Sequence, residues 1–196
     1  TWTRYPISTT NAPQTDKFSH GLGLGDVNGD GRSDVIIKTG WWEAPADRKQ
    51  PNWTYHPANF GEDCSEMYAY DLNGDGYNDV ISASAHRYGI WWYEQGRDAQ
   101  GNVTWKQHEI SKAFSETHGL AFADMNGDGV PDLVTGKRWF AHNDTDTDPG
   151  SHEPAVIYWF EFKPGKTPSW LPHEIDNDSG VGLHVVIQDM NKDKKK

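Results

Sequence analysis

The sequence predicts an all-β protein built from repeated four-stranded units, and three observations support this prediction. Ten Trp, eight Tyr and seven Phe accompany twenty Gly and eleven Pro, a composition typical of many short strands joined by turns. A short acidic segment recurs along the chain. Aromatic segments recur in phase with it, which indicates a repeat architecture.

The acidic segment is the clearest motif of the chain. It reads DVNGDGRSD from Asp26, DLNGDGYND from Asp71 and DMNGDGVPD from Asp124, and a divergent copy, DMNKDKKK, begins at Asp189. Positions one, three, five and nine carry side-chain oxygens, and a backbone carbonyl can add another at position seven. Such hard oxygen donors suit Ca²⁺ better than Zn²⁺, and the glycines let the chain curl around an ion.

The motif therefore predicts about three calcium sites and a degenerate fourth. Their predicted ligands are Asp26, Asn28, Asp30, Asp34 and the Arg32 carbonyl; Asp71, Asn73, Asp75, Asp79 and the Tyr77 carbonyl; and Asp124, Asn126, Asp128, Asp132 and the Val130 carbonyl. The fourth loop offers Asp189, Asn191 and Asp193, but Lys192 and Lys194 replace its glycines. An EF-hand is not predicted, because strand-like segments such as DVISAS follow these loops instead of a helix.

Four strands are predicted around each loop. The first is an apolar or small-residue segment such as MYAYD, the second is β-branched, and the third is aromatic, as in IWWYE from Ile90. The fourth ends each unit with a Trp and, three residues later, a Tyr or His, as in WKQH from Trp105. Units of this length with four antiparallel strands are typical of β-propeller blades.

We assign the whole chain, residues 1–196, to a single propeller region. Its predicted units span residues 18–56, 64–110, 117–175 and 182–196, the last of them incomplete. The chain also begins on the last strand of another unit. We therefore expect about three complete blades and two partial ones.

The DxNGDGxxD loop between strands resembles the FG-GAP or VCBS repeat of integrin α-chain propellers and of many secreted bacterial proteins. The resemblance covers nearly the whole chain and implies a propeller, usually seven-bladed, with Ca²⁺ between the first and second strands of a blade. A closed ring of this kind needs more blades than this chain supplies. We expect the others to come from a missing part of a longer protein or from further copies.

Strand direction predicts a second site on the top face, which we define as the end of the units opposite the acidic loops. Residues just before a first strand or just after a second strand should meet there. The candidate catalytic or ligand residues on this face are His20, Glu66, His86, His118, Lys137 and Arg138, with Ser65 and His184 nearby. The long insertion of the third unit should add His142 and His152 to the same face. Two histidines and a carboxylate would suit a catalytic Zn²⁺. Histidine and basic residues without a metal would instead suit an acidic or hydroxylated ligand. The alternative to both is a water-filled polar channel.

The other aromatic and imidazole groups favour packing roles. His56, His108 and His173 follow the Trp residues of fourth strands and are interpreted as packing partners. The pair Trp41 and Trp42 could stack on sugar rings, but at least one of the two should face the core.

Three functions are consistent with these features. The first is a secreted, periplasmic or cell-surface calcium-binding module that recognises a carbohydrate or an extracellular protein through its top face. The alternative is a sugar-active lyase or dehydratase that uses the His and Glu cluster; here the chain distantly resembles the propeller part of aldos-2-ulose dehydratase. The third is a structural scaffold. The net charge of −11 argues against a nucleic-acid partner, and no apolar run predicts membrane insertion.

Overall fold

The computed structural model describes residues 2–139 and 147–193, which form twelve β-strands and no helix. The first unit contains β1 (Leu22–Gly25), β2 (Asp34–Ile37), β3 (Gly40–Glu43) and β4 (Thr54–Pro57). The second contains β5 (Glu66–Tyr70), β6 (Asp79–Ala83), β7 (Tyr88–Arg97) and β8 (Val103–Ser115). The third contains β9 (Leu120–Ala123), β10 (Asp132–Gly136), β11 (Ile157–Lys163) and β12 (Ser169–Asp176). Within the described ranges, no helical segment is therefore available to cross a membrane.

Each unit is an antiparallel sheet in which consecutive strands are neighbours. The first strands of two units, β1 and β5, pair in parallel, which joins these units into one sheet of order β4-β3-β2-β1-β5-β6-β7-β8. The third unit forms a separate sheet, β12-β11-β10-β9. The predicted all-β fold is confirmed, and this arrangement is consistent with part of a β-propeller. The blade count and a seven-bladed parent stay predictions.

The acidic loops lie where the sequence predicted them, between the first and second strands. The register pairs Gly25 with Asp34, Tyr70 with Asp79 and Ala123 with Asp132, so each loop closes an antiparallel hairpin at its ninth residue. The unit boundaries differ slightly from those predicted, because β8 continues to Ser115, past residue 110. In the described part of the fourth unit, up to residue 193, no strand forms. Just before this unit, Val181 makes a single bridge to Arg138.

The hydrophobic core lies between successive units. One cluster joins the first and second units through buried residues such as Trp41, Met67 and Tyr93. Another joins the second and third units through residues such as Trp92 and Phe160. Burial of large aromatic side chains on both faces of a four-stranded sheet stabilises the face-to-face stacking of these units.

Glycine in β1 permits the close approach of the first two units. A Cβ atom at Gly23 would lie 2.4 Å from the Met67 carbonyl oxygen, and one at Gly25 would lie 2.7 Å from the Ala69 Cβ. Any larger residue at these positions would push β1 away from β5. The alternating glycines of GLGLG therefore set the spacing between the two units, which brings their top faces together.

Candidate functional site

The first aspartate of each intact acidic loop holds the turn closed. In the second loop, Oδ1 of Asp71 accepts a hydrogen bond from the Gly74 N–H at 2.8 Å, and Oδ2 accepts one from the Gly76 N–H at 3.0 Å. Asp26 and Asp124 make the same contacts in their loops. Gly74 and Gly76 have φ values of 75° and 89°, a conformation that favours glycine.

The third and fifth residues of each loop complete a compact set of oxygen atoms. Asn73 Oδ1 accepts a hydrogen bond from the Asp75 N–H at 3.0 Å, and the Asn73 amide nitrogen donates to the Asp75 carboxylate at 3.1 Å. Equivalent bonds occur in the first and third loops. A preformed turn with carboxylate and amide oxygens fits Ca²⁺ and provides no nitrogen or sulfur for softer metals.

The ninth aspartate joins its loop to the rest of the unit. Asp79 is fully buried; one oxygen accepts the Leu72 N–H at 3.1 Å and the other accepts the Gln95 N–H at 2.9 Å. Asp34 and Asp132 bridge their loops in the same way. Burial raises the pKa of Asp79 to about 7, and it also raises the pKa values of Asp34 and Asp132. Backbone N–H donors oppose this effect, and a cation beside the carboxylate would oppose it further.

The degenerate fourth loop keeps part of this turn. The Lys192 and Asp193 N–H groups donate to Asp189 Oδ1 at 2.6 and 3.2 Å, and Asn191 Oδ1 accepts the Asp193 N–H at 3.1 Å. Lys192 adopts φ of 65°, a strained value for a residue other than glycine.

A Trp–His–Glu arrangement recurs on the third and fourth strands of each unit. In the second unit the His108 ring stacks on Trp92 with centroids 4.2 Å apart, and its Nε2 lies 2.7 Å from the Glu94 carboxylate. The other sets are Trp41, His56 and Glu43, and Trp159, His173 and Glu161. These contacts agree with the predicted packing role of the histidines. Trp41 and Trp42 are both buried, so neither offers a free ring face to a sugar.

The recurring glutamate also reaches the acidic loop, a relationship that the sequence analysis missed. Glu94 Oε1 lies 3.3 Å from the amide nitrogen of Asn73, and Glu161 lies 3.3 Å from that of Asn126. The signal was present in the sequence, since a glutamate directly follows the aromatic segment of each third strand. Without the fold, nothing indicated that it faces the loop.

Three predicted top-face residues converge into one cluster. The imidazole nitrogens of His20, His86 and His118 lie within 4.8 Å of one another. His20 and His118 precede β1 and β9, whereas His86 follows β6, as strand direction predicted. A tetrahedral ion with metal–nitrogen bonds of about 2.1 Å would need nitrogen atoms roughly 3.4 Å apart. The His20–His86 pair, at 2.9 Å, already lies within this distance, whereas the His118 ring would have to move closer for all three nitrogens to reach one ion.

Hydrogen bonds fix the orientation of two of these rings. His20 Nδ1 lies 3.0 Å from the Phe18 carbonyl, which can only accept, so Nδ1 carries the proton. His86 Nδ1 lies 2.7 Å from the Asp148 carboxylate and donates to it. The two Nε2 atoms then face each other at 2.9 Å. Two lone pairs at this distance repel, and a shared proton or a metal ion between them would stabilise the arrangement.

The cluster borders a cavity of about 430 Å³ between the first strands of the units. His20 and His118 line one part of it, and Glu66 and His184 line another. Glu66 Oε1 lies 2.8 Å from His184 Nδ1, while Oε2 accepts the Leu120 N–H at 2.9 Å. A carboxylate paired with an imidazole beside an open cavity is an arrangement suited to proton transfer.

Two carboxylates lie near the cluster. Asp148 touches His86, and Asp63 accepts a hydrogen bond from Lys38 at 2.8 Å. That bond lowers the pKa of Asp63 and raises the pKa of Lys38, and the nearby His20 and His86 lower the Asp63 pKa further. The Lys38 ammonium offsets the charge of Asp63, which leaves Asp148 as the carboxylate in direct contact with the cluster.

The structure places two other predicted residues away from this cavity. Lys137 is fully buried, and its ammonium group donates to the Ser151 carbonyl at 3.2 Å. Arg138 is 7% exposed, and its Nε lies 3.7 Å from the buried Glu116 carboxylate. Neither side chain lines the cavity beside the histidines. Their contacts are typical of groups that support the top face from below.

The insertion between β10 and β11 contributes a residue that sequence reasoning did not identify, Asp148. No periodic signal marks it, because the insertion has no counterpart in the other units. His152 belongs to the same insertion and lies outside the three-histidine cluster. His142, also suggested by the sequence, lies outside the described residues.

Comparison with known proteins supports the repeat assignment over part of the chain. A search of curated protein sequences finds no match, so the likeness to aldos-2-ulose dehydratase has no support there. A family model described as an FG-GAP-like repeat matches residues 71–135, which begin at the second acidic loop and end within β10, after the third. This central third of the chain is therefore similar to the FG-GAP-like repeat family.

Proposed function

We propose that this chain is a propeller-like module that binds Ca²⁺ in its three acidic loops and a transition-metal ion on its top face. His20, His86 and His118 would hold this ion, with Zn²⁺ as the expected metal. The observation that carries the proposal is the 2.9 Å approach of the His20 and His86 Nε2 atoms, each ring having its Nδ1 committed to an acceptor. A hydrogen-bond acceptor on the other ring nitrogen orients a histidine ligand in metal sites.

Three histidine ligands would leave a coordination position open toward the cavity. Zinc sites with three protein ligands and one open position bind water or a substrate oxygen. A cavity of about 430 Å³ is within the range of small-molecule sites. The ligand proposed for this face is accordingly oxygen-rich, a carbohydrate or an acidic or hydroxyl-bearing group of a protein.

The acidic loops favour a compartment rich in calcium. Sites of modest affinity are filled where Ca²⁺ is abundant outside the cell, which supports a secreted, periplasmic or cell-surface location. Filled loops would also offset part of the charge of −11. This charge disfavours nucleic acid as the partner, because phosphate contacts need a basic surface.

The decisive experiment is a metal analysis of the chain and of matched histidine variants. Protein stripped of metals and reloaded with Ca²⁺ should bind one Zn²⁺, and Co²⁺ should give the visible absorption of a tetrahedral site. H20A, H86A and H118A should each abolish this binding, whereas H108A, an imidazole outside the cluster, should not. Zinc binding that survives the loss of all three histidines would refute the proposed centre.

A second candidate function, a sugar lyase or dehydratase, is favoured by the Glu66–His184 pair in the same cavity. In a dehydration, one group removes a proton from carbon while another protonates the departing hydroxyl, so that water leaves and a C=C bond forms. Glu66 and His184 provide an acid–base pair for these two transfers. A metal ion at the cluster would supply Lewis-acid polarisation of the sugar oxygen.

This second function requires its own assay. A panel of aldoses, ketoses and uronate-containing oligosaccharides can be screened for the ultraviolet absorbance of an unsaturated product. E66Q should abolish product formation while retaining zinc, which separates catalysis from metal binding. Turnover by E66Q at the wild-type rate would exclude Glu66 from the chemistry.

A further inference from the structure

A second cavity, of about 570 Å³, lies at the third unit and is separate from the three-histidine cluster. The insertion that provides Asp148 to His86 also contributes His152 to this cavity. Trp139, which follows β10, also lines the cavity. The remaining polar lining comes from Asn177 and Asp178, which follow β12. Its size is within the range of small-molecule sites.

Trp139 differs from the core tryptophans in its exposure. Its exposed fraction is 57%, whereas those of Trp41, Trp42 and Trp92 are 4–5%. A single exposed aromatic residue is common on protein surfaces and by itself indicates nothing. Trp139, however, borders a cavity together with polar side chains, the combination of a broad apolar surface and a few polar groups that characterises ligand sites.

The polar groups of this cavity have unused hydrogen-bonding capacity. Within the described part of the chain, the side chains of His152 and Asp178 take part in no hydrogen bond. Asn177 uses its amide nitrogen in a bond of 3.0 Å to Glu174, and its amide oxygen accepts none from the described residues. The wall thus combines an indole ring with a carboxylate, an amide oxygen and an imidazole that can bond to a ligand.

We propose that this cavity binds the pyranose ring of a carbohydrate. A pyranose has one face of C–H groups, which carry slight positive charge and pack on the negative face of an indole. Its hydroxyl groups can donate to the oxygens of Asp178 and Asn177 and bond to His152. An anionic phosphate ligand fits poorly, because the wall contains the Asp178 carboxylate and no basic residue other than His152 among the described lining residues. The site goes beyond the proposed metal centre and needs no metal.

The test is a glycan array probed with the labelled wild-type chain, W139A, W139F and W2A. The wild type should bind at least one pyranose-containing oligosaccharide. Titration calorimetry with that oligosaccharide should show at least a tenfold weaker affinity for W139A, since tryptophan anchors dominate binding energy. W139F should lose less, because a smaller ring still packs on the sugar. W2A should bind as the wild type does, since Trp2 is fully exposed and outside the cavity.

A parallel titration with the H20A/H86A/H118A variant distinguishes this proposal from the metal centre. Loss of zinc binding with retained glycan binding would support the Trp139 site as an independent one. Glycan binding that is lost in the histidine variant but unchanged in W139A would overturn the proposal and assign the sugar to the three-histidine cavity. An array on which the wild type binds no pyranose would also overturn it, whatever the metal content.

Discussion

The Nε2 atoms of His20 and His86 lie 2.9 Å apart although 66 positions separate the two residues in the chain. His20 precedes the first strand of one unit, and His86 follows the second strand of the next. The parallel pairing of β1 with β5 brings these two ends together. The cluster therefore depends on the docking of two units, and its third histidine depends on the docking of a third.

The first prediction concerns the residue that orients His86. D148N keeps an acceptor at 2.7 Å from His86 Nδ1 but removes the negative charge. If the cluster binds zinc as proposed, its affinity should fall about 10–100-fold, the usual effect of losing a carboxylate partner of a histidine ligand. Competition with a chromophoric chelator measures this change. E153Q is the matched control, because Glu153 lies in the same insertion but bonds to Tyr88. Equal affinities for D148N and the wild type would contradict the orienting role.

A second prediction concerns the acidic loops and follows from the repulsion among their carboxylates. A loop filled at 100 times its dissociation constant gains about 2.7 kcal/mol, which corresponds to a melting temperature about 5–10 °C higher for a chain of this size. Melting should be followed in 1 mM Ca²⁺ and in EGTA. The H20A/H86A/H118A background removes any contribution from zinc. Identical melting curves in the two solutions would count against calcium in these loops.

The buried ninth aspartate leads to a third prediction, which holds without any metal. D79A would leave the buried N–H groups of Leu72 and Gln95 without their acceptor, at a cost of about 1–3 kcal/mol each. We expect the free energy of unfolding in EGTA to fall by about 2–5 kcal/mol, measured by urea denaturation. D75A is the control, because Asp75 is exposed and lies in the same loop. Equal losses for the two variants would mean that the bridge contributes little.

The repeat made much of this fold predictable. Strand direction alternates in a fixed order within each unit. This rule predicts four strands per unit, the position of the acidic loops and the convergence of His20 with His118. Asp148 and Trp139 could not be predicted in this way. Asp148 meets His86 across 62 positions, and it belongs to an insertion that no other unit shares. Hydrophobic periodicity does not encode the place of a residue in an insertion that occurs once in the chain.

Lys137 and Arg138 show another limit of the sequence. Strand direction placed them correctly at the top end of β10, but it could not show the depth at which they lie. The Ser151 carbonyl, in the described part of the insertion, accepts from Lys137, and the Glu116 carboxylate lies beside Arg138. Because a buried charge needs a partner inside the protein, the depth of a basic side chain decides whether it can serve a ligand, and strand direction does not give that depth.

A fourth prediction concerns the reactivity of Cys64. The thiol is 2% exposed, it lies 3.0 Å from the Glu62 carbonyl, and burial raises its pKa to about 11 from the ordinary 9.0. At pH 8 the thiolate population should then be roughly 100-fold below that of an ordinary cysteine. We expect the native protein to react at least about 100-fold more slowly with an aromatic disulfide reagent than the urea-unfolded chain, and the rate to rise toward pH 11. Rapid labelling of the folded protein at pH 8 would contradict this burial.

The last prediction separates the Trp-stacked histidines from the three-histidine cluster. His108 stacks on Trp92 and bonds to Glu94, so H108A should lower the free energy of unfolding by about 1–2 kcal/mol. H108F restores an aromatic ring on Trp92 but not the bond, and it should recover about half of the loss. Urea denaturation measures both effects. Zinc and calcium stoichiometries should stay unchanged, because His108 lies on the outermost strand of its unit, away from the cluster. A loss of zinc from H108A with full stability would show instead that the fourth-strand histidines take part in metal binding.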